Sequence, residues 1–167
     1  TFKTSKTFTL GVAADSFNDG SKDATAEAAG AVQVYSDFAA SVVVDGKIVA
    51  SLNDAIQPKF AVSTTGELTA TYVATKRELK EDYNMAKYGA SMDWNKDGVV
   101  KEWYLQSAEF SKYVVGKTAQ EVLDMPTQVV EGAGYVISAE EALLTAGCTI
   151  QITSIKTVVA ESVNNAR

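Results

Sequence analysis

Asp93, Asn95 and Asp97 alternate before Gly98 in the stretch MDWNKDGVV, with the spacing of the first oxygen ligands and sharp turn of a calcium loop. Such a loop closes with a bidentate glutamate at its twelfth position, where this chain has Tyr104, and Glu102 falls two residues early. The missing ligand favours a tight turn leading into a helix, with Asp97 near the positive helix end. A weak metal site on Asp93, Asn95 and Asp97, making the chain a calcium-stabilised structural module, is the alternative. A second stretch, Gly116-Lys117-Thr118, has the closing letters of a phosphate loop, but Ser111 stands where that loop needs its first glycine. A helix stop followed by a Thr118–Glu121 capping box accounts for the same residues.

The paired acids Glu78 with Asp82 and Glu140 with Glu141 read as solvated helix faces. Tyr83, Tyr88, Trp94, Trp103, Tyr104 and Tyr113 form a dense aromatic set. They are expected mainly as core, and alternatively as a stacking wall for a planar ligand. In AGCTIQITSIKTVVAESV, residues 146 to 163, a turn of small residues leads into an amphipathic helix. Thr149, Thr153 and Ser154 lie at its start, where hydroxyls either cap the free amides or join them in binding an anion.

Composition removes several chemistries. The 167 residues contain no histidine and one cysteine, Cys148, which excludes histidine-dependent hydrolases, most zinc sites and an internal disulfide. A net charge of −6 without a basic run argues against nucleic acid as a partner. No apolar run approaches the roughly 20 residues of a transmembrane helix. The chain begins at Thr1 rather than Met, as it would after removal of a leader or where a longer protein has been cut.

The elements that must position these residues change character along the chain. Residues 1–14 read as a strand and 15–30 as a polar surface loop. Two β-rich runs then meet at Asp45-Gly46, a strong hairpin signal, and Pro58 ends the second. A further hairpin is expected at Thr65-Gly66. From residue 76 the period becomes helical, giving expected helices over 76–88, 102–115, 119–124 and 139–145, the last opened by a Ser138–Glu141 capping box. A terminal helix places Ile152, Ile155, Val159 and Val163 on one face. Strands first and helices second predict an α+β fold, an antiparallel meander packed against helices, in a single domain over residues 1–167.

Gly147-Cys148-Thr149, followed by Thr153-Ser154 and a helix rich in Ala and Val, resembles the flavin-attachment motif of the FMN-binding domain family. VVVDGKIVASLNDA is similar to that family's hairpin, and VGKTAQEVLDM to its helix lead-in. Members include flavin-carrying subunits of Rnf and sodium-pumping quinone oxidoreductase complexes and lipoproteins of extracellular electron transfer. The layout also resembles small secreted or lipid-anchored proteins of anaerobic Gram-positive bacteria. The resemblance implies FMN on Thr149, with Gly147, Cys148, Thr153 and Ser154 around it. Ala146, Cys148 and Leu143 replace the motif's Ser, Ala and Asp, which implies a divergent relative without the covalent flavin. The expectation is a non-catalytic, extracytoplasmic domain at a bacterial cell surface, secreted or tethered to the membrane through a removed leader. An FMN-carrying electron-transfer protein is the alternative.

Overall fold

The computed structural model describes residues 7–85, 101–132 and 134–167. Its first half forms strands β1 (Thr9–Lys22), β2 (Gly30–Val44), β3 (Lys47–Ile56), β4 (Lys59–Val62) and β5 (Leu68–Thr71). All pairs are antiparallel: β2 takes β1 along one edge, and β3 and then β4 along the other, with β5 outside β4. Asp45 and Gly46 both adopt positive φ, 52° and 73°, as the two-residue hairpin between β2 and β3 requires. Pro58 falls in the break between β3 and β4. The turn joining β4 to β5 is centred on Thr64-Thr65, one residue before the expected Thr65-Gly66, and Gly66 follows it at φ 84° with its amide on the Ser63 carbonyl at 3.0 Å.

The second half supplies α1 (Lys76–Leu79) with a 3₁₀ turn (Lys80–Tyr83), α2 (Trp103–Tyr113), α3 (Ala119–Leu123), α4 (Glu141–Thr145) and α5 (Thr153–Asn164). The α+β expectation therefore holds. Helix α5 lies across β1 and β2, α2 lies on β3, and α3 packs on α5. Phe110, Val114, Val122, Leu143, Ile152, Ile155, Val158 and Val159 are fully buried between them. Each such side chain contributes about 1.5–3 kcal/mol over its exposed state. Gly11 permits the close approach of α5, because a Cβ there would lie 1.8 Å from the Ser162 carbonyl oxygen.

Four local expectations need correction. The strand expected over 1–14 begins at Thr9 among the described residues and continues through the supposed loop to Lys22. An exposed edge strand needs backbone partners more than apolar side chains, and β2 supplies them past a register shift between Asn18 and Gly20. The helix expected from residue 76 stops being α-helical at Lys80, whose φ of 48° breaks it, and 86–88 lie outside the described residues. Ser138 does not cap α4: its hydroxyl accepts from the Glu140 amide, Glu140 is the N-cap, and the helix starts at Glu141. Short strands β6 (Thr127–Val129) and β7 (Val136–Ser138) form an additional hairpin.

Gly116-Lys117-Thr118 behaves as the structural reading predicts. Gly116 has φ of 87°, and Thr118 and Glu121 complete the capping box of α3. Two backbone hydrogen bonds, Gly116 to Ile48 at 2.7 Å and Ile48 to Lys117 at 2.9 Å, stitch this turn to β3.

Candidate functional site

Alternation along β2 decides where the site lies. Tyr35, Asp37, Ala39, Ser41 and Val43 point to the helical side. Ala39 and Val43 are covered as part of the core, whereas Tyr35 lies beyond it, beside a cleft. This cleft, about 270 Å³, is lined by Phe17 and Asp19 of β1, Tyr35, Lys76 at the start of α1, Tyr83, Trp103, Tyr135, Thr149 and Ser154, among others. It lies just below the roughly 300–1,000 Å³ range of ligand pockets and is open to solvent on one side, so it suits a small planar molecule or part of a larger one.

Its aromatic walls are set by neighbouring elements. Phe17 faces Tyr35 across the β1–β2 ladder, and their rings stack at 5.2 Å. Tyr83 meets Tyr72 edge-on and donates its hydroxyl to Gln57 at 2.9 Å. Trp103, at the first turn of α2, is only 3% exposed.

Lys76 sits at the centre. A Thr75–Glu78 capping box fixes the start of α1 and turns Lys76 inward, leaving it 3% exposed. Its Nζ donates to the Tyr35 hydroxyl at 3.0 Å. It also lies 4.3, 4.6 and 5.1 Å from the ring centres of Tyr35, Tyr83 and Trp103. Burial pulls the ammonium's pKa down to about 7 against the pull of Asp37, Asp19 and Asp54. Burial likewise pushes the Tyr35 phenol well up, so it stays protonated.

Beside this amine, Asp37 is 1% exposed, and neither carboxylate oxygen has a hydrogen-bond partner among the described residues. Desolvation raises its pKa, opposed by the nearby Ser154 hydroxyl and by Lys76. A buried carboxyl without a donor is costly, on the order of 1–3 kcal/mol or more. The polar groups just outside the cleft behave differently. Asn53 gives its amide nitrogen to Ser107 and takes the Ser111 hydroxyl, while Arg77 donates to the Asn53 carbonyl and to Ser107.

The sequence-derived candidates separate into wall, support and surface. Thr149 and Ser154 line the cleft. Gly147 and Cys148 stand behind them as the C-terminal cap of α4. The Cys148 amide bonds to Leu143 at 2.8 Å and the Gly147 amide to Leu144 at 2.9 Å, with Gly147 at φ 73°. Cys148 is wholly buried, and desolvation raises its thiol pKa to about 12. This cap delivers Thr149, whose amide is held at 2.7 Å by the buried Gln106 carbonyl oxygen. Thr153 is exposed, and α5 has Ile152 as its N-cap with no side-chain cap, so the hydroxyls are not capping groups there.

Of the aromatic set, Tyr83 and Trp103 line the cleft, while Tyr104 points to Glu81 and Tyr113 to Lys117. Tyr88, Trp94 and the calcium-loop residues Asp93, Asn95 and Asp97 lie outside the described residues. Among the described residues, no group of three or more carboxylates or thiols is placed to hold a metal ion. Nor is any described helix long and apolar enough to cross a membrane.

Sequence reasoning missed Lys76, Asp37, Tyr35 and Phe17. Lys76 looks like an ordinary solvated residue in the first turn of a helix, and only its packing against β2 reveals it. Asp37 carried a faint signal, an acid within a β-rich run at an inward position of the alternation. No family model, no curated protein and no solved structure matches this chain.

Proposed function

We propose that this chain is a binding module for a small planar ligand, held between the aromatic walls of the cleft and oriented by Lys76, Thr149 and Ser154. The observation that carries this reading is the buried Lys76 amine, enclosed by three rings at the cleft and accompanied by an unpartnered acid. Such an arrangement lowers fold stability, and groups whose protonation is perturbed in a cleft mark functional sites. Flat walls select flat ligands, because ring faces stack in offset or edge-on geometry. The module is non-catalytic in this reading, and the FMN-binding resemblance supports an extracytoplasmic setting.

Titration with 4-methylphenol and 2-naphthol tests it, read through Trp103 fluorescence in a Trp94→Phe background. Saturable quenching with a rise in melting temperature is expected for at least one of them. Unchanged fluorescence and melting temperature up to millimolar concentrations of both would contradict the reading.

Thr149 on the cleft wall favours a second reading, FMN esterified to its hydroxyl with the flavin ring against the aromatic side chains. Thr149 fits as the attachment point, since its hydroxyl has only a 3.4 Å contact to Gln106. Intact mass and visible absorbance of protein produced alongside a flavin transferase decide this. An unmodified, colourless chain removes it.

A further inference from the structure

We propose that Lys76 captures carbonyl compounds: the cleft takes a small aromatic aldehyde or ketone and holds it as an imine on Nζ. This rests on the small-ligand reading above and names the ligand's chemical class.

Geometry selects a carbonyl over the anion a lysine would ordinarily recruit. Asp19 from β1 lines the cleft and Asp37 from β2 lies buried beside Lys76, so an anionic ligand would meet acidic groups around a single amine. The surrounding rings of Tyr35, Tyr83 and Trp103 exclude water and accept a neutral planar molecule. Burial leaves a large share of the amine unprotonated near neutral pH, as a nucleophile requires.

The groups needed to move protons are in place. The Nζ lone pair attacks the carbonyl carbon, a C–N bond forms, and the carbon–oxygen π pair moves to oxygen. One proton leaves nitrogen and one joins that oxygen, giving a carbinolamine. The Tyr35 hydroxyl, 3.0 Å from Nζ, lies on this path. The carbinolamine hydroxyl then takes a further proton and leaves as water while nitrogen forms the C=N bond and loses its last proton. One amine and one carbonyl thus give one imine and one water, with no oxidant or reductant. Ser154 lines the cleft next to Asp37, and its hydroxyl is placed to pass a proton to the departing water.

The test treats the intact chain at pH 7 with 4-hydroxybenzaldehyde and cyanoborohydride, which reduces imines to stable amines. 4-Methylphenol serves as the carbonyl-free analogue, and peptide mapping locates the adduct. A single adduct on Lys76 is expected. It should form on the order of a hundredfold faster than on a free model lysine amine, whose pKa is about 10.4. The rate should rise with pH through about 7, following the Lys76 amine. Excess 4-methylphenol should block it, Lys76→Met should abolish it, and Tyr35→Phe should slow it several-fold while keeping the amine. Adducts spread over surface lysines with Lys76 unmodified would overturn the proposal. If 4-methylphenol or 2-naphthol still quenched Trp103 in that case, the binding reading would survive alone; if neither did, both would fall.

Discussion

Ser41 and Asp37 occupy the same strand and point to the same side of the sheet, yet their buried polar groups are treated in opposite ways. Ser41 lies under α5, where it meets the Ser162 hydroxyl at 2.7 Å and the Ser51 hydroxyl at 3.2 Å. Asp37 lies toward the cleft with both oxygens unpartnered among the described residues and its pKa raised by burial. The covered end of β2 follows the rule that buried polar atoms find partners, and the cleft end breaks it. Asn53, Ser107, Ser111 and Arg77 extend the first behaviour, and Lys76 extends the second. Polar burial is satisfied at the covered end, whereas at the cleft end a buried carboxyl is left without a donor among the described residues.

Substitutions at the two ends of β2 should have opposite effects. Phe110→Ala empties the centre of the covered end and should cost about 3–5 kcal/mol by chemical denaturation. A loss below about 1 kcal/mol would mean that this core is not packed as described. Gly11→Ala forces a methyl into the α5 backbone and should cost about 1–3 kcal/mol, without touching the cleft. Asn53→Ala should cost a similar amount, since it takes a donor from Ser107 and an acceptor from Ser111.

Asp37→Asn should act the other way. A raised carboxyl pKa favours the protonated form in the folded chain, so wild-type stability falls as pH rises above 3.8 toward the folded value, then levels off. The variant should lack that fall and equal or exceed the wild type at neutral pH. An equal decline with pH in both proteins would remove Asp37 from the account. The smallest effect is expected at Cys148, which should resist thiol reagents in the native state because it is buried with a pKa near 12.

Much of the fold was legible because its signals are local. The Asp45-Gly46 turn, the break at Pro58, the Thr118–Glu121 capping box and the period of α5 each specify themselves within a few residues. Edge strand β1 was not legible beyond Ala14, because its polar residues are held there by β2 rather than by their own pattern. The cleft was legible only in part. Thr149 and Ser154 stood out through a motif-like run, and Tyr83 and Trp103 through aromatic density. Lys76 and Asp37 were hidden because their significance is a matter of burial, and burial depends on elements far apart in the chain. Gly147 and Cys148, prominent in the sequence, turned out to shape the turn that presents Thr149.

The central claim is that Lys76 is buried for binding at the expense of stability, and the melting temperature of Lys76→Met against pH tests it most directly. A lysine pKa lowered to about 7 from 10.5 penalises the folded state fully below about pH 7, and the penalty fades as pH rises toward 10.5. Methionine fills much of the same volume without a charge to desolvate. The account predicts that the variant melts above the wild type at pH 7, that the gap closes toward pH 10.5, and that the 4-hydroxybenzaldehyde adduct is lost. A variant that melts below the wild type at every pH would contradict it, because Lys76 would then be a stabilising part of its aromatic cluster.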